Sequence, residues 1–387
     1  MRPLPRVVEQ CDSPISTAYA LLDPIDADGE LLDLAQAAPA YPTAPDIRDH
    51  IARIARDPHG GDYTEVPGLD KLREAVAADL GRGYRARISA DQVVVTAGCN
   101  QAFSLVVSAL AGPGDEVVVP LPYYFNHDMW LKLNGMRPVY LEPGPDLVPR
   151  AVAAEALITP RTRAIVLVSP GNPSGVTVDP AEIARFAGVA RRHDVALIID
   201  ETYRSFRDTT APAHQLFSDP HWDQTVVSLH SFSKDLALPG YRVGAVVGGP
   251  ELLRQVCKLL DCVAVCAPRI GQEAAWAGLT GADEWRSARA REVAQQRAAF
   301  AAVMADRPGG FELLSCGGFF GWIRHPFPQR PTEDVVHELV AEHHLLLLPG
   351  TAFLPEDRAT LRVSVSNLDG PAAATFADRL RAVGVGR

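Results

Sequence analysis

The stretch Ser231-Phe-Ser-Lys-Asp-Leu-Ala-Leu-Pro-Gly-Tyr-Arg-Val-Gly244 sets one lysine among two hydroxyls, with an arginine eight residues further on. The preceding Thr225-Val-Val-Ser-Leu-His230 reads as a buried strand, so Lys234 leaves the edge of a sheet rather than a solvated face. An amine partly removed from water beside other cations loses proton affinity and becomes a usable nucleophile. Ser231, Ser233 and Arg242 add hydroxyls and a guanidinium fork, which together suit a phosphate dianion. Thr96-Ala-Gly-Cys-Asn-Gln-Ala-Phe103 can complete that anion site: the chain turns through Gly98 into a helix whose first free amides, those of Cys99 and Asn100, favour phosphate. A carboxylate, Asp200, closes the apolar run Val195-Ala-Leu-Ile-Ile. Buried there it is costly unless paired. It could cap a helix or bind a metal, but the flanking sequence shows no matching histidine or acidic set.

These residues need a frame. From about residue 90 short β-branched runs alternate with helical segments, a pattern that implies α/β architecture. Strands are expected at 92–96, 116–119, 164–168, 195–199, 225–229 and 243–247, and helices at 100–111, 123–134, 180–193 and 250–260. Apolar strands between helices imply a mostly parallel sheet covered on both faces, with ligands beyond the carboxyl ends of its strands. Upstream, a short helix is expected at 15–22 and another where Leu69, Leu72, Val76 and Leu80 follow the loop His59-Gly-Gly-Asp-Tyr-Thr-Glu-Val-Pro-Gly68. After about 275 a long Ala/Arg-rich helix, 283–306, precedes short strands near 320–323 and 361–366. The chain therefore divides into an N-terminal segment, 1–45, belonging to a small domain, a large domain, 46–275, and a small C-terminal domain, 276–387.

The lysine stretch resembles the cofactor-lysine signature of the class I/II (fold-type I) pyridoxal-phosphate-dependent aminotransferases, and similar motifs run in the family's order from Leu32 to Ser366. The resemblance implies a seven-stranded, mostly parallel sheet and a smaller α+β domain built from both termini. It implies that Lys234 carries pyridoxal 5'-phosphate as a Schiff base and later moves a proton as general base and acid. Asp200 would pair with the pyridine nitrogen and keep the ring an electron sink. Tyr203 of Asp-Glu-Thr-Tyr203 and Asn172 of Ser169-Pro-Gly-Asn-Pro-Ser-Gly175 would face the phenolate oxygen, and Asn172 the substrate carboxylate as well. Tyr124, from Pro120-Leu-Pro-Tyr-Tyr-Phe-Asn-His127, would stack on the ring. Gly98, Cys99, Asn100, Ser231, Ser233 and Arg242 would hold the phosphate, joined by Tyr63 from the partner subunit of a homodimer. Arg362, in Ala359-Thr-Leu-Arg-Val-Ser-Val-Ser366 and after the family-like turn Pro349-Gly-Thr-Ala-Phe353, would fork onto the substrate carboxylate.

The likeness has departures. Ala37 stands where the family usually has a glycine whose amide helps hold that carboxylate. Asn126 and His127 leave the common pattern and are assigned to substrate choice; Tyr41 either lines the pocket or packs in its loop. The expected reaction moves an amino group between an α-amino acid and an α-keto acid. The alternative is a specialised biosynthetic enzyme of the same fold (lyase, γ-replacement enzyme, cyclase or oxidase), since chemistry after Cα deprotonation depends on pocket shape.

Composition is compatible with this. At 387 residues, 47% hydrophobic and 22% charged, the chain has enough apolar material for a sizeable core. A net charge of −10 argues against a nucleic-acid surface, and fewer than 50 residues precede the large domain, too few for the DNA-binding half of a regulator. No apolar run suggests a signal peptide or membrane span, so a cytoplasmic location is expected. The six cysteines lack the density of a disulfide scaffold. Cys257, Cys262 and Cys266 read as small core residues, a metal site being the alternative; none is assigned.

Overall fold

The runs Val93–Thr96, Glu116–Pro120, Thr162–Val168, Ala196–Asp200, Val226–Ser231 and Gly244–Val247 are short, rich in β-branched residues and buried along nearly their whole length. In the computed structural model, which describes residues 1–23 and 31–383, they form one seven-stranded sheet with Arg137–Leu141. Residues 24–30 and 384–387, which fall in the terminal stretches expected to build the smaller domain, lie outside the described residues. Across the sheet the order is Val93–Thr96, Gly244–Val247, Val226–Ser231, Ala196–Asp200, Thr162–Val168, Glu116–Pro120, Arg137–Leu141. Only Gly244–Val247 runs against its neighbours.

Period-two side-chain alternation divides the core between the two faces. Val94, Val117, Val166, Ile198 and Leu229 pack with Phe103 and Val106 of the helix Cys99–Leu110 and with Val256 of Pro250–Ala264. Val93, Val95, Val118, Ile165, Leu197 and Ile199 pack on the other side against Leu72, Val76 and Leu80 of Asp70–Tyr84 and Ile183 of Pro180–Arg192. Covering both faces is what commits the strands to continuous apolar sequence and sends their polar residues to the strand ends.

A second, antiparallel sheet has the order Leu348–Pro349, Thr360–Ser364, Phe320–Arg324, Glu312–Gly317. The N-terminal segment joins this part of the fold: Leu32–Asp33 pairs in parallel with Leu345–Leu346, and the Ser364 amide donates to Leu34 O at 2.9 Å. The long helix Asp283–Met304 links the two sheet regions. Among the described residues no helix is long and apolar enough to cross a membrane.

Three differences from the sequence reading have physical causes. The edge strand Arg137–Leu141 carries an exposed arginine and a proline, so its apolar signal is weak. The helices Pro45–Arg56, Arg269–Gly281, Thr332–His343 and Gly370–Ala382 were not anticipated. Finally, the cysteine trio is not core. On Pro250–Ala264 the buried stripe is Leu253, Val256 and Leu260, which leaves Cys262 exposed and Cys257 at the stripe's edge, while Cys266 lies beyond the helix, half-buried. The three thiols form no metal-binding group among the described residues.

Candidate active site

Beyond the carboxyl ends of the central strands lies a cavity of about 210 Å³. Its walls bring together Cys99, Asn100, Tyr124, Asn172, Asp200, Tyr203, Ser231, Ser233, Lys234 and Arg242, ten of the residues singled out from sequence, with Gln36, Val168, Thr202 and Pro239. Each arrives by the same route, at a strand end or the turn that follows.

At one end is an anion cradle. Gly98 has φ +86°, and a Cβ there would stand 2.5 Å from Arg242 Nη2. A Cβ on Gly244 would meet Gly98 C at 2.7 Å and Cys99 N at 2.8 Å. The two glycines therefore allow the helix start at Cys99 to lie directly against Arg242, adding free helix amides to a guanidinium. Arg242 itself holds a left-handed backbone, φ +50°, as does Ala237 in the same loop. For residues with a Cβ this costs roughly 1–3 kcal/mol each, a strain that persists where surrounding structure imposes it. Burial, and then the Asp200 charge, push the Cys99 thiol up, so it remains neutral and contributes its amide rather than a thiolate.

At the other end stands Asp200, 4% exposed. Burial alone would raise its pKa, but His127 and Thr202 outweigh that and hold it below the usual carboxylate range. The Thr202 amide donates to Asp200 Oδ1 at 3.0 Å, and His127 Nε2 lies 3.4 Å from Oδ2. The partner of Asp200 thus comes from 73 positions away in the chain, as a single histidine rather than a metal-binding set, and His127 is buried rather than on the open cavity wall. It is 1% exposed and stacks on Phe103 with ring centroids 3.9 Å apart. His127 stands in the first turn of the helix Phe125–Leu133, its ring edge-on to that of Tyr124 at 5.0 Å. Tyr124 is held by a short chain in which Asn126 Nδ2 donates to its hydroxyl at 2.9 Å and that hydroxyl donates to Asn100 Oδ1 at 3.2 Å. Asn126 thereby orients Tyr124, a role its assignment to substrate choice had not anticipated.

Lys234 lines the same cavity. Its ammonium donates to the Ala37 carbonyl, and burial, then Arg362 and Arg242, lower its pKa to about 8. No carboxylate is within ion-pair distance of it among the described residues. Arg362 shares that property: it is 2% exposed, donates to Asn172 Oδ1 at 3.0 Å and to Ala35 O, and its Nε has no hydrogen-bond partner among the described residues. Its guanidinium carbon lies 5.1 and 4.9 Å from the rings of Phe320 and Phe353, and burial pushes its pKa down to about 10. Tyr203 packs edge-on against Phe320 at 5.0 Å, its phenol raised well above the ordinary value by burial.

Two expected residues lie elsewhere. Tyr63 is 80% exposed and does not line the cavity. Tyr41 is 6% exposed and packs beneath the lysine loop rather than on the cavity wall, its hydroxyl donating to Lys234 O at 3.1 Å.

A cavity lined by an anion cradle, a buried carboxylate and an amine whose lowered pKa leaves a neutral fraction near pH 8 can bind a bipolar aromatic phosphate and take a proton from a second, carboxylate-bearing molecule. Comparison with known proteins is consistent with that chemistry. Residues 29–380 match the family model for aminotransferase class I and II. The arginine–pyruvate transaminase AruH of Pseudomonas aeruginosa is 32% identical over 360 residues, covering 90% of this chain and 88% of that protein. The putative aminotransferase YugH of Bacillus subtilis is 28% identical over 86% of both chains. In fold, a Thermus thermophilus aspartate aminotransferase mutant superimposes with a TM-score of 0.89 over 98% of this chain and 99% of its own, at 23% identity. A match that spans both sheets and every segment lining the cavity leaves one assignment: this chain belongs to the class I and II aminotransferases.

Proposed function

We propose that this aminotransferase uses pyridoxal 5'-phosphate held on Lys234 to exchange amino groups between an α-amino acid and an α-keto acid. The observation that carries this is the half-buried Lys234 amine, depressed to about 8 and with no carboxylate within ion-pair distance among the described residues, lining one cavity with Arg242 of the anion cradle and the Asp200 carboxylate. The residues present fit the cofactor: the cradle matches its phosphate and Asp200 its ring nitrogen. When bound, the cofactor supplies an electron sink that makes a substrate Cα proton acidic.

The chain's own groups do the rest. Cys99 and Asn100 amides, Ser231, Ser233 and Arg242 would bind the phosphate; Asp200, kept ionised by His127 and Thr202, would hold a proton on the ring nitrogen. Tyr124, fixed by Asn126 and Asn100, would lie against the ring, and Asn172 and Tyr203 would donate at the phenolate oxygen. Arg362 lacks a carboxylate of its own and would take the substrate's bidentately, beside the Ala37 segment. Lys234 would then take the proton from the substrate Cα, its neutral fraction growing as pH rises through about 8.

The same reading makes the enzyme a homodimer, with exposed Tyr63 completing the partner's phosphate site. It also divides the chain into a large domain, 46–275, and a small one from 1–45 and 276–387, supported by the pairing of Leu32–Asp33 with Leu345–Leu346. Lys234→Ala should abolish both the visible absorbance of the cofactor-loaded enzyme and amino transfer. Retained turnover would sink the assignment, while ammonia or peroxide release without build-up of the pyridoxamine form of the cofactor would redirect it to another chemistry of the same site.

A further inference from the structure

Immediately after Lys234 the chain carries a carboxylate, Asp235, that does not enter the cavity. It is 7% exposed and turns to the opposite side, where its Oδ2 accepts from Arg286 Nη2 at 3.0 Å and from Ser205 Oγ at 3.3 Å. Arg286 stands in the first turn of the long helix Asp283–Met304, and its other nitrogen, Nη1, donates to Asp79 Oδ1 at 2.9 Å and to Asp283 Oδ1 at 3.3 Å. Asp79, on the helix Asp70–Tyr84, also accepts from Arg204, one residue beyond Tyr203. The four central side chains are 9–17% exposed and alternate in sign, Arg204, Asp79, Arg286, Asp235. Buried charges of this kind persist only when each is matched.

The same helix holds Lys234 from a second direction. Tyr41, whose hydroxyl donates to the Lys234 carbonyl at 3.1 Å, packs edge-on against Trp285 at 5.6 Å and lies under the Arg289 guanidinium, also at 5.6 Å. Two turns further, Arg297 donates to Phe206 O at 3.0 Å and Gly318 O at 3.1 Å, fixing the turn that precedes Phe319 and Phe320. One helix therefore holds the backbone on both sides of the lysine and the ring that lies against Arg362.

We propose that Arg286 is a positioning residue for Lys234: by binding the Asp235 carboxylate it fixes the lysine loop to the long helix and keeps that acid turned away from the amine. The inference rests on Lys234 being the cofactor lysine. A fork is needed because one head must meet Asp235 and the other Asp79, a geometry that lysine cannot reproduce. With Arg286 removed, Asp235 is a stranded charge next in sequence to an amine, and the loop has every reason to rotate it toward that amine.

The test uses the cofactor-loaded enzyme and follows kcat, KM, cofactor stoichiometry, and the visible circular-dichroism band of the bound cofactor, which reports its placement. Arg286→Met should lower kcat roughly 10- to 100-fold, the scale of a displacement of about 1 Å at the reacting group. KM should stay within about threefold, since Arg362 and its surroundings are untouched. The band should change at full cofactor stoichiometry. Adding Asp235→Asn removes the stranded charge, so the double variant should regain most of the lost kcat and the original band. Wild-type kcat and band in folded Arg286→Met overturn the proposal, as does a loss that Asp235→Asn leaves untouched. If Arg286→Met fails to fold, Arg286→Lys decides: a changed band supports the proposal and an unchanged one ends it. Lys234→Ala, run alongside, separates the two ideas, because persistence of the band and of turnover there removes the cofactor-lysine reading whatever Arg286 does.

Discussion

On the cavity side of the lysine loop, Lys234 and Arg362 carry positive charge out of bulk water with no carboxylate beside either among the described residues. On the far side of the same loop, Arg204, Asp79, Arg286 and Asp235 form a chain of alternating sign in which each charge meets an opposite one, with Asp235 Oδ1 and Arg286 Nε left without a hydrogen-bond partner among the described residues. Both arrangements are built from arginines and both are largely dry. The difference is what completes them. The far set is satisfied by the fold and so belongs to architecture, whereas the cavity set is satisfied only by an anion from outside and so belongs to binding. Number of charges says little about function; the absence of an internal partner says much.

The contrast can be broken most sharply by removing one arginine from each set. Arg362→Met should cost the enzyme about 2–5 kcal/mol of carboxylate recognition, a fall of at least roughly 30-fold in kcat/KM for any α-amino acid. Steady-state kinetics on two substrates of different side chain checks this, and a loss confined to one substrate would move Arg362 from the α-carboxylate to side-chain selection. Arg286→Met should instead cost the fold about 3–5 kcal/mol in chemical denaturation, because Asp235 is left buried without its cation and Asp79 keeps only Arg204 and the more exposed Arg82. Arg362→Met in the same experiment, on cofactor-free protein, should be neutral or stabilising, since it removes a buried charge that nothing internal compensates. Equal destabilisation by both variants would erase the distinction between the two sets.

A smaller effect concerns Lys234 in the cofactor-free protein. Burial and the flanking arginines lower its pKa from 10.5 to about 8, so between those values the unfolded chain binds more protons than the folded one. Stability should therefore rise with pH across that window, and the contribution should be fully lost below about pH 8. Comparing the pH dependence of unfolding for the wild type and Lys234→Met isolates the slope; identical slopes would mean the amine is better hydrated than its surroundings suggest.

Much of the cavity side could be read in advance. Strands of valine and isoleucine announce themselves and polar residues at their ends are conspicuous; Asp200 sits at such an end and Lys234 and Asn172 in the turns just beyond one, while Arg362 stands mid-strand in an alternating run. The far side could not be read in that way. Asp79, Arg204 and Arg286 are spread over more than 200 positions on helices and a short turn where charged residues are ordinary, and no local spacing marks them as buried. The place of His127 was hidden for a related reason: its departure from the family pattern suggested substrate choice, but the fold sets it against Phe103 and beside Asp200. The cysteine trio failed on helix phase, with Leu253, Val256 and Leu260 holding the buried stripe.

What the amino-acid sequence determined by itself was therefore the alternation of apolar strands with helices, and the set of chemically able residues at the strand ends, because both are written in local periodicity. What only the tertiary structure decided was pairing. Whether a buried charge meets its counterion depends on which distant segments the packed sheet and the long helix bring within about 3 Å of one another, and that distance has no counterpart in local spacing. Lys234 could be found from its neighbours in sequence; that its next neighbour, Asp235, is held away from it by Arg286 could be found only in space.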